Sequence, residues 1–254
     1  MLKVRVIPCM LFNGFSLVKT IQFGTMRNLG SPIQAAHVYN SRNVDELVFI
    51  DLKATEEHRE PLYDVIHEVI GECFMPLAIG GGIHSLDVIQ KLLSIGADKV
   101  IINSEALTHP EFIERAARKF GSQCIVVSID VKRNGRRFMV MDKRGATTTR
   151  HEAVPWAQEM HKRGAGELFV TSVDQDGSMA GYDIDLINAV VSEVSIPVIA
   201  SGGAGKVQDI IDVIKKGHAD AAALASMFHY SGHTANSIKQ RMAAAGIPVR
   251  IVGP

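Results

Sequence analysis

The chain has 254 residues, 46% hydrophobic and 21% charged, which is the composition of an ordinary globular protein and excludes disorder. Lys plus Arg number 27 against 27 Asp plus Glu, so no basic excess supports a general nucleic-acid binder. No apolar run reaches the roughly eighteen residues of a membrane span. The opening MLKVRVIPCM leads straight into a strand-like run, without the apolar core and cleavage site of a signal peptide. Cys9, Cys73 and Cys124 each lie in an apolar stretch and read as buried free thiols of a reducing cytoplasm. One domain over residues 1–254 is expected.

In chain order, eight apolar runs read as strands: Val4–Cys9, Leu47–Asp51, Pro76–Ile79, Lys99–Asn103, Cys124–Asp130, Leu168–Thr171, Pro197–Ala200 and Ala221–Ala225. Their near-continuous apolarity suits parallel strands covered on both faces. Helices fall between them. Ser31-Pro32 opens the first with an N-cap and a proline. Leu62, Val65, Ile66, Val69 and Ile70 form the stripe of the second. Ser85 caps a third that ends at Gly96, and Phe112, Ala116 and Phe120 mark a fourth ended by Gly121. Later helices start near Glu152, Asp183, Lys206 and Thr234. Eight βα units in one chain predict an α/β fold of the (β/α)8 TIM-barrel type, with a doubly wound open sheet as the alternative.

An internal repeat decides between them. Met75–Val100 realigns on Ile196–Ala222 at an offset of 121 residues, becoming 122 near His218, and Asp45–Leu52 realigns on Gly166–Val173. Two related (βα)4 halves close naturally into one barrel. Two connections are unusually long, Leu11–Gly30 after the first strand and Val131–Thr149 after the fifth. Both belong to the C-terminal face, where barrels build their sites, and Asn134-Gly135 predicts a hairpin in the second.

Gly80-Gly81-Gly82 and Ser201-Gly202-Gly203 each end a strand just before a helix, where backbone amides approach an anion. Asn103-Ser104 and Ala225-Ser226 end the neighbouring strands and complete each cradle. The duplicated unit points to a ligand with two phosphates; bare turn glycines are the alternative. Arg5, Glu46, Lys99 and Glu167 fall at the other end of the barrel and pair into a ring, either a stability plug or a gate for something small. Asp130 ends the fifth strand as a candidate acid or base, and a half-barrel offset of 119 sets Leu11 opposite it. Asp51, Asp174 and Asp176 lie at strand ends as capping groups or further acids, and Lys19 is either a phosphate contact or solvated. His229 and His233 have HxxxH spacing without a third ligand, so no metal site is read. His84, His109 and His218 read as surface or cap histidines, and Trp156 and Met160 as core.

These strings add up to a resemblance over essentially the whole chain. DELVFIDL (Asp45–Leu52), GGGIH (Gly80–His84), GADKVIIN (Gly96–Asn103), VVSIDVK (Val126–Lys132), TSVDQDGSMAGYD (Thr171–Asp183) and ASGGAGK (Ala200–Lys206) resemble the cyclase subunit of imidazole glycerol phosphate synthase, of histidine biosynthesis. The resemblance implies a half-barrel-repeat fold that forms a heterodimer with a glutaminase on the N-terminal face. Ammonia then passes a gate of Arg5, Glu46, Lys99 and Glu167, with Asp98 meeting the glutaminase. It implies phosphate sites at Gly81, Gly82, Asn103 and Ser104, and at Asp176, Gly177, Gly203 and Ser226. No cofactor and no metal are implied.

The family's ring-closing chemistry uses aspartates at the ends of the first and fifth strands. Asp130 is present, but Leu11 stands at the other position and cannot transfer a proton. Ala78 and Ile101 replace a threonine and a serine of typical members. This combination is similar to a divergent branch associated with amidation of surface-polysaccharide, or lipopolysaccharide, sugars. Shared strings are VKTIQF (Val18–Phe23), REPLYDVI (Arg59–Ile66) and ECFMPLAIGGGI (Glu72–Ile83). There the barrel and glutaminase supply ammonia to a separate ATP-using amidotransferase. Three functions follow: an ammonia-conducting subunit for sugar amidation, an authentic lyase/cyclase with reassigned proton transfer, and a glutaminase-activating scaffold without chemistry. Leu11 favours the first and third, and the complete gate favours the first over the third.

Overall fold

The computed structural model describes residues 3–142, 145–230 and 233–251, without the side chains of His229 and Tyr230. His229 of the HxxxH pair therefore lies outside the described side chains, as do Lys143 and Arg144 of the second long connection.

Eight parallel strands close into a barrel. They are β1 (Arg5–Phe12), β4 (Leu47–Asp51), β5 (Leu77–Gly80), β6 (Lys99–Ile102), β7 (Ile125–Asn134), β10 (Glu167–Ser172), β11 (Val198–Ser201) and β12 (Ala221–Leu224). Strand β10 pairs with β7 on one side and β11 on the other, and β12 pairs with β1, so no edge is left open. The predicted runs supply these strands in order.

Alternation explains why the runs look continuously apolar. Ile7, Val48, Ala78, Ile101, Val126, Phe169, Ile199 and Ala221 turn into the lumen, while Val6, Leu47, Phe49, Leu77, Ile79, Val100 and Val127 face the helices. The shell of helices consists of α1 (Pro32–Ser41), α2 (Tyr63–Gly71), α3 (Leu86–Ser94), α5 (Glu111–Phe120), α6 (Ala153–Lys162), α7 (Ile184–Val191), α8 (Val207–Lys215) and α10 (Ala235–Ala244). Expected caps are in place: Ser85 Oγ accepts from the Val88 amide at 3.2 Å and Asp183 Oδ1 from the Leu186 amide at 3.1 Å. Trp156 and Met160 lie in this packed layer. Two short helices, α4 (Ser104–Thr108) and α9 (Ser226–Tyr230), were not expected; five residues are too few to show a helical period.

Both long connections carry strands. After β1, β2 (Leu17–Lys19) and β3 (Arg27–Gly30) fold back antiparallel. After β7, β8 (Arg137–Asp142) and β9 (Thr147–Glu152) do the same. The hairpin expected at Asn134-Gly135 forms one residue on: Asn134 pairs with Arg137, and Gly135 takes φ +60° at the first turn position.

The repeat appears as matched geometry. Asp98 Oδ2 accepts from the Leu77 amide at 2.8 Å, and Asp220 Oδ2 accepts from the Val198 amide at 2.9 Å. These pairs are related by the offsets found in the sequence. Cys9 is buried, whereas Cys73 and Cys124 are half-buried, a correction to the expectation for those two. Among the described residues, no helix is long and apolar enough to cross a membrane.

Candidate functional site: a charged ring below, an open cavity above

At the N-terminal end, Arg5, Glu46, Lys99 and Glu167 each stand two residues before an inward-facing apolar residue: Ile7, Val48, Ile101 and Phe169. Strand parity therefore turns all four inward. Arg5 Nη1 donates to Glu46 at 2.5 Å and Arg5 Nη2 to Glu167. Lys99 Nζ donates to Glu46 at 2.9 Å and to Glu167 at 2.9 Å. Each cation bridges both carboxylates, so the ring is closed. Burial opposes the Arg5 charge, but the Glu167 and Glu46 carboxylates outweigh it and hold its pKa above the ordinary value.

Above the ring the lumen is apolar and lined partly by small residues, including Ala78, Ala221, Ala223 and Cys9. Burial chiefly raises the Cys9 thiol well above its usual range, which keeps it neutral and unreactive.

The lumen opens at the C-terminal ends of the strands into a cavity of about 1020 Å³. Leu11, Gly81, Gly82, Asn103, Ser104, Asp130, Asp176, Gly177, Gly203 and Ser226 all line it. The structure thus brings Asp130, Leu11 and both sets of anticipated anion-binding residues to one cavity, whereas Lys19 and Asp174 do not line it. Asp98 lies apart from them, exposed on the N-terminal face beside Lys99.

Asp130 accepts a hydrogen bond from Asn103 Nδ2 at 2.8 Å. Burial, chiefly, pushes its carboxyl up to about 7; the charges of Asp176 and Asp142 add to this, and the Asn103 bond opposes it. A carboxyl poised near neutrality is suited to exchange protons at physiological pH. Leu11 contributes only a hydrocarbon wall. Asp51 is fully engaged: its Oδ1 accepts from the Lys53 and Ala54 amides, and Arg59 grips both oxygens at 2.7 and 3.0 Å. Asp174 accepts from the Arg133 amide at 2.8 Å.

Asp176 anchors the first long connection. Its Oδ2 accepts from Thr20 Oγ1 at 2.7 Å and from the Phe23 amide at 3.2 Å. Its backbone carbonyl accepts from the Gln22 amide at 2.9 Å. Burial raises its pKa, opposed by those bonds and by Lys19. Lys19 itself is buried within β2, not solvated, and burial lowers its pKa.

The glycines have a steric reason. Gly81 and Gly203 take φ of +98° and +107°, and a Cβ there would lie 2.1 Å from the Asp51 carbonyl and 2.0 Å from the Gly181 carbonyl. His84, His109 and His218 are exposed; His84 and His109 bond within their own segments to the Gly82 carbonyl and Glu105.

Sequence reading missed Asp142, which ends β8 and reaches the cavity because the hairpin folds over the mouth. The signal available was the hairpin itself, which returns its second strand to the C-terminal face. Glu56 and Glu105 also line the cavity and were not singled out.

A closed parallel barrel with an apolar lumen and a cavity carrying convergent polar groups at the strands' C-terminal ends has the architecture of a ligand-binding (β/α)8 barrel. The chain matches the family model described as histidine biosynthesis protein over residues 5–234, and it belongs to that family.

Proposed function

We propose that the chain is the synthase-side subunit of a glutamine amidotransferase complex. It receives ammonia from a glutaminase docked on the N-terminal face and conducts it through the lumen. At the mouth the ammonia serves amidation of a surface-polysaccharide sugar by a separate ATP-using enzyme in the cytoplasm. Residues 1–254 act as one domain in this reading, and a phosphorylated ligand occupies the mouth cavity.

The observation that carries it is the closed ring below an apolar lumen. A lumen lined by Ala78, Ile101, Val126 and Ala221 disfavours an ion and admits a small neutral molecule. Glu46 and Glu167, 2% and 6% exposed, are held by Arg5 and Lys99 where that molecule would enter. Asp98 keeps one carboxylate oxygen on the Leu77 amide and is exposed for a neighbour. With Leu11 at the end of β1, Asp130 lacks a carboxylate at the position where the family resemblance places the second aspartate of ring closure.

The test is reconstitution with the glutaminase subunit. A heterodimer, stimulated glutamine hydrolysis, and ammonia that escapes capture by a scavenging dehydrogenase in solution are the expected results. Absence of both the complex and the stimulation would defeat the reading. A second reading, an authentic cyclase of histidine biosynthesis, is favoured by the family match and by the near-neutral carboxyl of Asp130. Turnover of the histidine-pathway substrate with ammonium as donor separates the two. A missing acid or base typically lowers the rate about 10²–10⁴-fold, and a rate close to that of a normal cyclase favours the second reading.

A further inference from the structure

The two halves of the barrel place equivalent turns at opposite sides of the mouth, and their chemistry differs. Through the repeat, Gly82 corresponds to Gly203, Thr55 to Asp176, Glu56 to Gly177, and Glu105 to Met227. In the first half the Gly82 amide is already committed, donating to Thr55 Oγ1 at 3.3 Å. In the second, the corresponding Asp176 carboxylate turns instead to Thr20 and Phe23.

Charge differs as well. Glu105 lies in the first turn of α4, whereas the first turn of α9 carries no acidic residue. Glu105 lines the cavity, and its carboxylate is held by His109 Nδ1 at 2.9 Å. Glu56, gripped by Lys53 at 2.9 Å, lines the same side. His84 Nδ1 lies 2.9 Å from the Gly82 carbonyl and donates to it. Arg59 pairs with Asp51 and Lys53 with Glu56 on this side, so the negative charge added beyond those pairs is that of Glu105. A phosphate at neutral pH offers mainly acceptors and negative charge in return. A hydroxyl group donates.

We propose that Glu105 makes the first-half side of the mouth cavity selective for an uncharged, hydroxyl-bearing group, so that the cavity takes a sugar carrying one phosphoryl group, bound on the second-half side. This rests on the proposed phosphorylated ligand of the mouth and departs from the expectation of a ligand with two phosphates.

Titration calorimetry at pH 8 with inorganic phosphate, glucose 1-phosphate and glucose 1,6-bisphosphate tests it on the full chain. Wild type binds the monophosphate at least as tightly as the bisphosphate. Glu105→Gln, or Glu105→Met, which copies the second half, strengthens bisphosphate binding about tenfold by removing like charge and leaves inorganic phosphate unchanged. Ser226→Asp weakens all three ligands. Two variants at position 105 guard against one that fails to fold, and circular dichroism verifies each. Tighter binding of the bisphosphate by wild type, or an equal change for all three ligands in the position-105 variants, overturns the selectivity while leaving the ammonia reading intact. No binding of any of the three by wild type removes the phosphorylated-ligand site and this inference with it. Glutaminase stimulation, measured separately, reports on ammonia transfer alone.

Discussion

Replacing Asp130 with asparagine should stabilise the protein at alkaline pH and leave it unchanged in acid. The carboxyl is held at about 7 in the folded chain against an ordinary 3.8. Below pH 3.8 both folded and unfolded chains carry the proton, and burial costs nothing in charge. As pH rises towards 7, the unfolded chain ionises while the folded chain keeps its proton, so stability falls until the folded carboxyl also ionises. A proton affinity raised this far corresponds to roughly 4 kcal/mol, at about 1.36 kcal/mol per tenfold. Water at the open mouth screens part of it, so about 2–4 kcal/mol is expected. Asparagine does not titrate, and its Oδ1 can still accept the Asn103 bond. Urea unfolding at pH 4 and pH 8 reads the difference. Asp130→Asn should gain those kilocalories at pH 8 only. An equal effect at both values would show that Asp130 ionises at an ordinary pKa, and would refute the electrostatic account of the mouth.

Three further outcomes are expected. Asp142→Asn should move the pH range of that stability loss downward, because one like charge facing Asp130 is removed; carboxyl chemical shifts measured by NMR against pH would follow it. Lys99→Met should cost about 3 kcal/mol in thermal unfolding, since Glu46 and Glu167 lose a shared cation in a poorly solvated ring, and adding Glu167→Gln should recover part of the loss. Gly203→Ala should cost about 3 kcal/mol or more, through its φ and the close Gly181 carbonyl, whereas Gly30→Ala, with nothing within 4 Å, should cost only about 1 kcal/mol of backbone strain.

The barrel was legible because its signals are local or repeated. Continuous apolar runs, Ser31 and Ser85 caps and the 121-residue offset each constrain the same topology, and the eight strands form in the predicted order. The inward direction of Arg5, Glu46, Lys99 and Glu167 followed from strand parity, which sequence preserves. What resisted reading depends on chain segments folding over one another. Asp142 carries no local mark of belonging to the mouth; only the β7–β8 hairpin brings it there. Asp176 and Lys19 were legible as charges but not as parts of one latch, because Thr20 and Asp176 are 156 residues apart. The inequality of the two glycine turns was hidden by their similarity. Gly81-Gly82 and Gly202-Gly203 match, and the difference lies in Thr55, Glu56 and Glu105 around them.

The latch of Asp98 on the Leu77 amide bears on how partner-binding experiments should be designed. One oxygen of this exposed carboxylate belongs to the barrel's own register, and Asp220 repeats the arrangement half a turn away. Alanine at position 98 removes the internal acceptor along with the charge, so any loss of association confounds a distorted strand end with a lost contact. Asparagine keeps an acceptor for the amide and discards the charge alone. Asp220→Asn, made at the mirrored place, serves as its internal control: if the two variants melt alike and only the first weakens a complex, position 98 carries recognition beyond its part in the scaffold.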